Sequence, residues 1–159
     1  MPWEYLENMN YRYEIVASKI DFKNKHVVDL CSGNTGLYEL VKHITASYRA
    51  CDLRKLHPIV EQAPDDIFVK TIESCDVLCA FGYGGREIID EKLESETLNA
   101  SIKSIISKHN PEYVVLESVK NFQKPIFDIA NSYNYTYETI SHDSSFWLQD
   151  RIMIIMKRK

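Results

Sequence analysis

The sequence predicts an α/β fold of three layers, with a mostly parallel sheet, helices on both faces and an antiparallel hairpin at the C-terminal end. Short apolar runs alternate with stretches whose apolar residues recur at spacings of three and four, the pattern of buried strands joined by amphipathic helices. The last two runs, 135–140 and 152–156, follow each other with no helix between them, which favours a hairpin at the sheet edge. The first apolar run ends in a turn carrying Gly33 and Gly36, as a strand feeding a helix does.

In chain order, Trp3, Leu6, Met9, Tyr13, Val16 and Ile20 mark one face of a first helix. Val27, Val28 and Leu30 form a short buried strand, and Leu37, Leu40, Val41 and Ile44 form the apolar face of the next helix. Residues 48–53 make a second strand with Asp52 at its carboxyl end. Residues 57–68 hold a short third strand followed by two acids. Residues 75–81 (CDVLCAF) read as a buried strand, with Gly82, Tyr83, Gly84 and Gly85 as a flexible loop after it. The polar stretch 86–97 leads into a helix built on Leu98, Ile102, Ile105 and Ile106, stopped by Asn110 and Pro111. Residues 113–116 form the next strand, ending at Glu117. A helix follows over 122–133, its start limited by Pro125.

Composition narrows what such a fold can do. The 159 residues, 45% hydrophobic and 26% charged, suit a single domain spanning 1–159 that buries roughly 70% of its unfolded surface. A net charge of −4 and a pI near 5.7 give no global pull towards nucleic acid. No basic-then-apolar leader and no membrane-length apolar run is present, so a soluble, cytoplasmic protein is expected. Cys31, Cys51, Cys75 and Cys79 show no C-x-x-C pairing and no histidines at metal spacing, so no metal site is expected and the thiols read as reduced and buried.

The candidate binding element is the run 26–37, HVVDLCSGNTGL. It resembles the Rossmann-type turn, in which the backbone lies close to a ligand and a later acid takes the ribose hydroxyls. An Asp within the first strand and only two glycines fit S-adenosylmethionine better than a dinucleotide, whose pyrophosphate wants G-x-G-x-x-G. The cofactor candidates are therefore Asp29, Leu30, Cys31, Ser32, Gly33, Thr35, Gly36 and Leu37 in the turn, and Asp52 and Leu53 after the second strand. Asp66, Ile67, Ala80 and Phe81 complete the set. Each has an ordinary alternative. Asp29 can cap the turn, Asp52 and Asp66 can be solvated loop acids, and a turn rich in Gly, Ser and Asn also punctuates inert folds. His142, Asp143 and Ser144 are too close in sequence to form a triad, and no G-x-S-x-G elbow exists.

The alternation closed by a hairpin is the Rossmann-like architecture of class I methyltransferases, and the motifs together resemble DNA (cytosine-5) methyltransferases. VVDLCSGNTG is similar to that family's opening D-L-F-x-G-x-G-G, and Asp52 falls where its ribose-binding acid is expected. Asp66 and Ile67 look like its D-I pair beside adenine, and DVLCAFGYGG stands where it has a strand and the Pro-Cys loop. PEYVVLESVKNF is close to P-x-x-x-x-x-E-N-V-K-N, and SSFWLQDRIMII is similar to Y-G-x-P-Q-x-R-x-R.

The resemblance also marks what is missing. That family's cysteine adds to carbon 6 of a flipped cytosine so that carbon 5 can take the methyl group. The position of that thiol is Gly84 here, and Cys79, five residues upstream in a strand, reads as core. Glu117 stands at the position of the family's base-contacting glutamate and is the one catalytic candidate; Ser118 replaces the asparagine after it. Gln149 and Arg151 are retained, while Met153 replaces the second arginine. The chain ends within a few residues of that element, where the family has its target-recognition region. The resemblance therefore implies an S-adenosylmethionine-binding relic with weak or no DNA binding of its own, working with a protein partner or as a homodimer. Two other classes stay open: a methyltransferase acting on a nitrogen or oxygen, which needs orientation but no enzyme thiol, and a non-catalytic interaction domain.

Overall fold

The computed structural model describes residues 11–32, 35–52, 55–62, 65–83, 91–119, 124–144 and 149–159. Their elements run α1 (Tyr11–Lys19), β1 (His26–Leu30), α2 (Gly36–Val41), β2 (Ser47–Cys51), β3 (Val60–Glu61) and α3 (Asp65–Lys70). They continue with β4 (Val77–Tyr83), α4 (Glu91–His109), β5 (Tyr113–Val119), α5 (Lys124–Ser132), β6 (Tyr135–Ser144) and β7 (Gln149–Arg158). The strands form one sheet in the order β3-β2-β1-β4-β5-β7-β6. Pairing is parallel from β3 to β5, and β7 runs antiparallel to both β5 and β6. The predicted three-layer α/β architecture with its C-terminal hairpin is the one observed.

Strand alternation divides the core between two faces. Val28, Leu30, Leu78, Ala80, Val114, Leu116, Ile154 and Met156 point to one side, where Phe68 of α3, Ile102 and Ile105 of α4 and Ile126 and Ile129 of α5 cover them. Their neighbours Val27, Val77, Cys79, Phe81, Val115, Met153 and Ile155 point to the other, covered by Tyr13 and Val16 of α1 and Leu37 and Val41 of α2. Residues buried on both faces need helices on both faces, and the parallel strands accordingly read as continuous apolar runs. Strand order reverses between β1 and β4, so the crevice beyond their carboxyl ends is the switch point where open α/β sheets place ligands.

Local chemistry sets several ends. α4 stops where Asn110 turns left-handed (φ 47°) and its N–H bonds the Ile106 carbonyl at 2.9 Å, with Pro111 next in the chain. In α5 Pro125 sits in the first turn, where its missing N–H costs no helical bond.

Several expectations are corrected. α4 begins at Glu91, so the later part of the polar stretch is already helix, and its Glu96 and Thr97 stand exposed while the apolar stripe further along is buried. The two acids after β3 belong to α3. β4 begins at Val77 and runs through Gly82 and Tyr83 with a bulge between Ala80 and Tyr83, so these two residues are strand and not loop. The apolar face of α2 is Leu37 and Val41, while Leu40 and Ile44 are 39% exposed. β5 continues past Glu117 to Val119, and both hairpin strands are longer than their apolar runs. Of the first predicted helix, residues 11–19 are helical; Trp3, Leu6 and Met9 lie outside the described residues.

Candidate functional site

The chain leaves β1 through a turn whose unusual backbone falls on residues with side chains. Cys31 (φ 57°) and Thr35 (φ 58°) are both left-handed. Such a conformation costs an L-residue roughly 1–2 kcal/mol, and for a β-branched residue it is an outlier that its surroundings must enforce. Here the Ser32 N–H donates to the Cys51 carbonyl at 3.1 Å, tying the exits of β1 and β2 together, and the Thr35 N–H donates to the Ser32 carbonyl at 3.0 Å. The glycines were the expected hinge residues; Gly36 instead opens α2, and Gly33 lies outside the described residues.

Asp29 is fully buried at this end of β1. The half-buried Tyr48 of β2 donates a hydrogen bond from its Oη to Asp29 Oδ2 at 2.5 Å. Asp29 Oδ1 and Ser32 Oγ are also buried, and neither has a hydrogen-bond partner among the described residues. A buried acceptor left unmade costs about 1–3 kcal/mol, which makes this turn the candidate position for a polar ligand group. Burial pushes the Asp29 carboxyl up to about 7, against the Tyr48 hydrogen bond and the Arg12 charge, which lower it; the nearby Asp52 raises it further. Asp52, following β2, is only 4% exposed, which rules out the solvated-loop alternative.

A second polar group lies on the same sheet face, one strand beyond β4. Glu117 is fully buried in β5. Arg12 of α1 reaches it through Nη1, and Nη2 donates to Tyr13 Oη at 2.7 Å. The guanidinium lies 4.7 Å from the Tyr13 ring centre and 5.4 Å from that of Phe81, whose own rings meet edge to face at 5.1 Å. Met153 is the direct neighbour of Glu117 across the β5–β7 pairing. The carboxylate next to a strand position without arginine is thus served by an arginine from the N-terminal helix.

The remaining candidates are spread around this edge. Leu30 and Ala80 are buried in the core cluster of α3, α4 and α5, Phe81 and Leu37 in the opposite cluster, and Cys31 is half-buried. Asp66 is exposed on α3, beside Ile67, which is 53% exposed. Leu53 and Gly84 lie outside the described residues. Cys79 is core, as expected. Burial and the Asp29 charge hold its thiol well above the ordinary range, so it has no thiolate to offer at neutral pH. Arg12 and Tyr48 were not found from the sequence. The legible signal for Tyr48 was a large phenol two residues before a small Ala50 that pairs with Asp29.

No protein-family model and no curated protein sequence matches the chain. Solved structures do. An rRNA methylase from Streptococcus thermophilus superposes with a TM-score of 0.66 at 9% identity, over 94% of this chain and 95% of that one. Magnesium protoporphyrin IX methyltransferase from Synechocystis, solved with S-adenosylmethionine bound, gives 0.67 at 10% identity, over 96% and 81%. The Mtq2–Trm112 complex from E. cuniculi, which methylates a translation termination factor, gives 0.63 at 14% identity, over 100% and 98%. The chain has the class I S-adenosylmethionine-dependent methyltransferase fold. These likenesses hold nothing particular to DNA cytosine-5 methyltransferases.

Proposed function

We propose that this chain binds S-adenosylmethionine at the carboxyl edge of β1, β2 and β4 and is a methyltransferase-like protein related to DNA (cytosine-5) methyltransferases that does not methylate cytosine at carbon 5. The observation that carries the cofactor reading is that Asp29 Oδ1 and Ser32 Oγ, buried at the switch point of a class I fold, have no partner among the described residues. The donor chemistry fits. Asp29 takes the cofactor's ammonium, Ser32 its amino-acid end and Asp52 the ribose hydroxyls, while the exposed apolar Ile67 and its neighbour Asp66 serve adenine. The group itself supplies an electrophilic methyl on sulfur. This chain's own residues bind and orient it and, by burial, keep water from the carboxyl of Asp29.

The restriction on cytosine rests on Gly84, which has no side chain to form the carbon 6 adduct, and on the burial of Cys79. The Arg12–Glu117 pair favours a protein whose acceptor end is fixed by its own N-terminal helix. A nitrogen or oxygen acceptor, which needs no enzyme thiol, is the alternative for a catalytic chain. Work with a protein partner is in keeping with the two-chain structural neighbour, and the net negative charge with weak DNA binding alone. The four free thiols suit a reducing compartment, which supports a cytoplasmic location; among the described residues no helix is long and apolar enough to cross a membrane.

Calorimetric titration with S-adenosylmethionine tests the reading. Binding is expected, and Asp52→Ala weakens it by roughly 1–3 kcal/mol, the scale of a hydrogen bond lost from a buried charged group. Absence of heat at millimolar cofactor with the wild-type chain would overturn the site assignment.

A further inference from the structure

We infer that Tyr48 is a positioning residue for the cofactor, holding one oxygen of Asp29 so that the other is turned to the ligand; this rests on the cofactor reading above. The geometry is specific. Tyr48 reaches from β2 to the neighbouring β1 and donates to Oδ2 at 2.5 Å, while Oδ1 of the same buried carboxyl has no partner among the described residues. One anchored oxygen fixes the plane of the carboxyl, and the other is the acceptor left for an ammonium. Tyr48 is itself held by an edge contact with Tyr38 at 5.1 Å, which in turn meets His57 at 5.5 Å. The phenol thus stands on a packed aromatic row and not on a free side chain.

The electrostatics point the same way. Burial raises the Asp29 carboxyl, and the Tyr48 hydrogen bond is the largest influence that lowers it. The other groups facing it are Arg12, which lowers it, and Asp52, which raises it, with Tyr13 and Cys79 close enough to feel its charge. The phenol is a secure donor. Burial and the adjacent carboxylate lift Tyr48 well above the ordinary tyrosine value, so it keeps its proton wherever Asp29 ionises. Loss of the hydroxyl therefore moves the ionisation of Asp29 to higher pH, and ligand binding moves with it.

The test measures affinity for S-adenosylhomocysteine, whose amine, beside its own free carboxylate, is more basic than a chain terminus and stays mainly protonated, in steps from about pH 6 to about pH 8. Wild-type affinity is expected to rise with a midpoint near the Asp29 ionisation. Tyr48→Phe binds roughly tenfold more weakly near pH 7 and its midpoint moves up, so that part of the loss is recovered at the alkaline end. Replacement of Tyr48 by 3-fluorotyrosine, a stronger donor of nearly the same shape, moves the midpoint down and keeps the test open if the phenylalanine variant folds poorly. An unmoved midpoint in these variants, with or without a uniform loss of affinity, overturns the positioning role. Failure of the wild-type chain to bind at any pH would instead overturn the cofactor reading itself.

Discussion

A buried carboxyl held near neutrality makes the stability of the chain depend on pH, with a sign opposite to that of an ordinary ion-paired aspartate. Asp29 titrates near 3.8 in an unfolded chain and at about 7 when folded. Between those values the folded chain keeps a proton that the unfolded chain has released, so unfolding becomes easier as pH rises through the window. The loss is about 1.4 kcal/mol for each pH unit, with an upper bound of about 4 kcal/mol. Asp29→Asn keeps an acceptor for Tyr48 and removes the titration. Its stability relative to wild type is therefore expected to rise from about pH 4 to about pH 7 and to level off on either side, as read by urea denaturation across a pH series. A difference that stays constant with pH would mean that Asp29 ionises as readily in the folded chain as in the unfolded one. The sequence made Asp29 a candidate because of its place at a strand end. It could not show the burial that changes its chemistry, since that depends on Tyr48, Arg12 and Cys79 arriving from three other elements.

At the level of elements, α1 is joined to the carboxyl end of the sheet by apolar and polar contacts together. Tyr13, Val16 and Ile20 bury against the face that carries Cys79 and Phe81, and Arg12 places its guanidinium on Glu117. Removing one member of a buried ion pair leaves the other charge uncompensated, which typically costs about 3–5 kcal/mol, whereas replacing both with apolar groups costs far less. Arg12→Met is accordingly expected to lower the unfolding free energy by about that amount, and Arg12→Met with Glu117→Leu to recover most of it. A single variant within about 0.5 kcal/mol of wild type would show that the pair does not hold the helix. Elements with a strong apolar period were legible: the face of α4, the hairpin and the parallel strands all stand where Ile102, Ile105, Val114 and Ile154 put them. Ends were less so. The polar first turns of α4 carry no period that separates helix from loop, and α3 is six residues long, too short for a pattern to form.

For the whole molecule, the parallel sheet closed by a hairpin follows from the alternation of runs along the chain, and the candidate site is the one at the switch point between β1 and β4. What the alternation does not specify is chemistry. The finer resemblance to cytosine-5 methyltransferases rests on short motifs such as PEYVVLES and LQDRIM, and its consequence is testable. Carbon 5 of cytosine is a poor nucleophile until a thiolate adds at carbon 6. On the proposed resemblance, which puts Gly84 at the thiol position, cytosine-containing DNA and RNA are expected to take no label from methyl-labelled S-adenosylmethionine and to form no covalent adduct through 5-fluorocytosine. An adduct on the wild-type chain would place a nucleophile elsewhere and contradict the reading of the 82–85 segment.

The claim on which all of this depends is that the cofactor sits at the carboxyl edge of β1 and β2, and amide chemical shifts report that position directly. On titration with S-adenosylhomocysteine, the largest changes are expected at Asp29, Leu30, Cys31, Ser32, Thr35 and Asp52. Asn110, Tyr135 and Arg158, at the opposite end of the sheet, are expected to stay in place. No change at millimolar ligand, or changes centred on Asn110 and Arg158, would contradict the account.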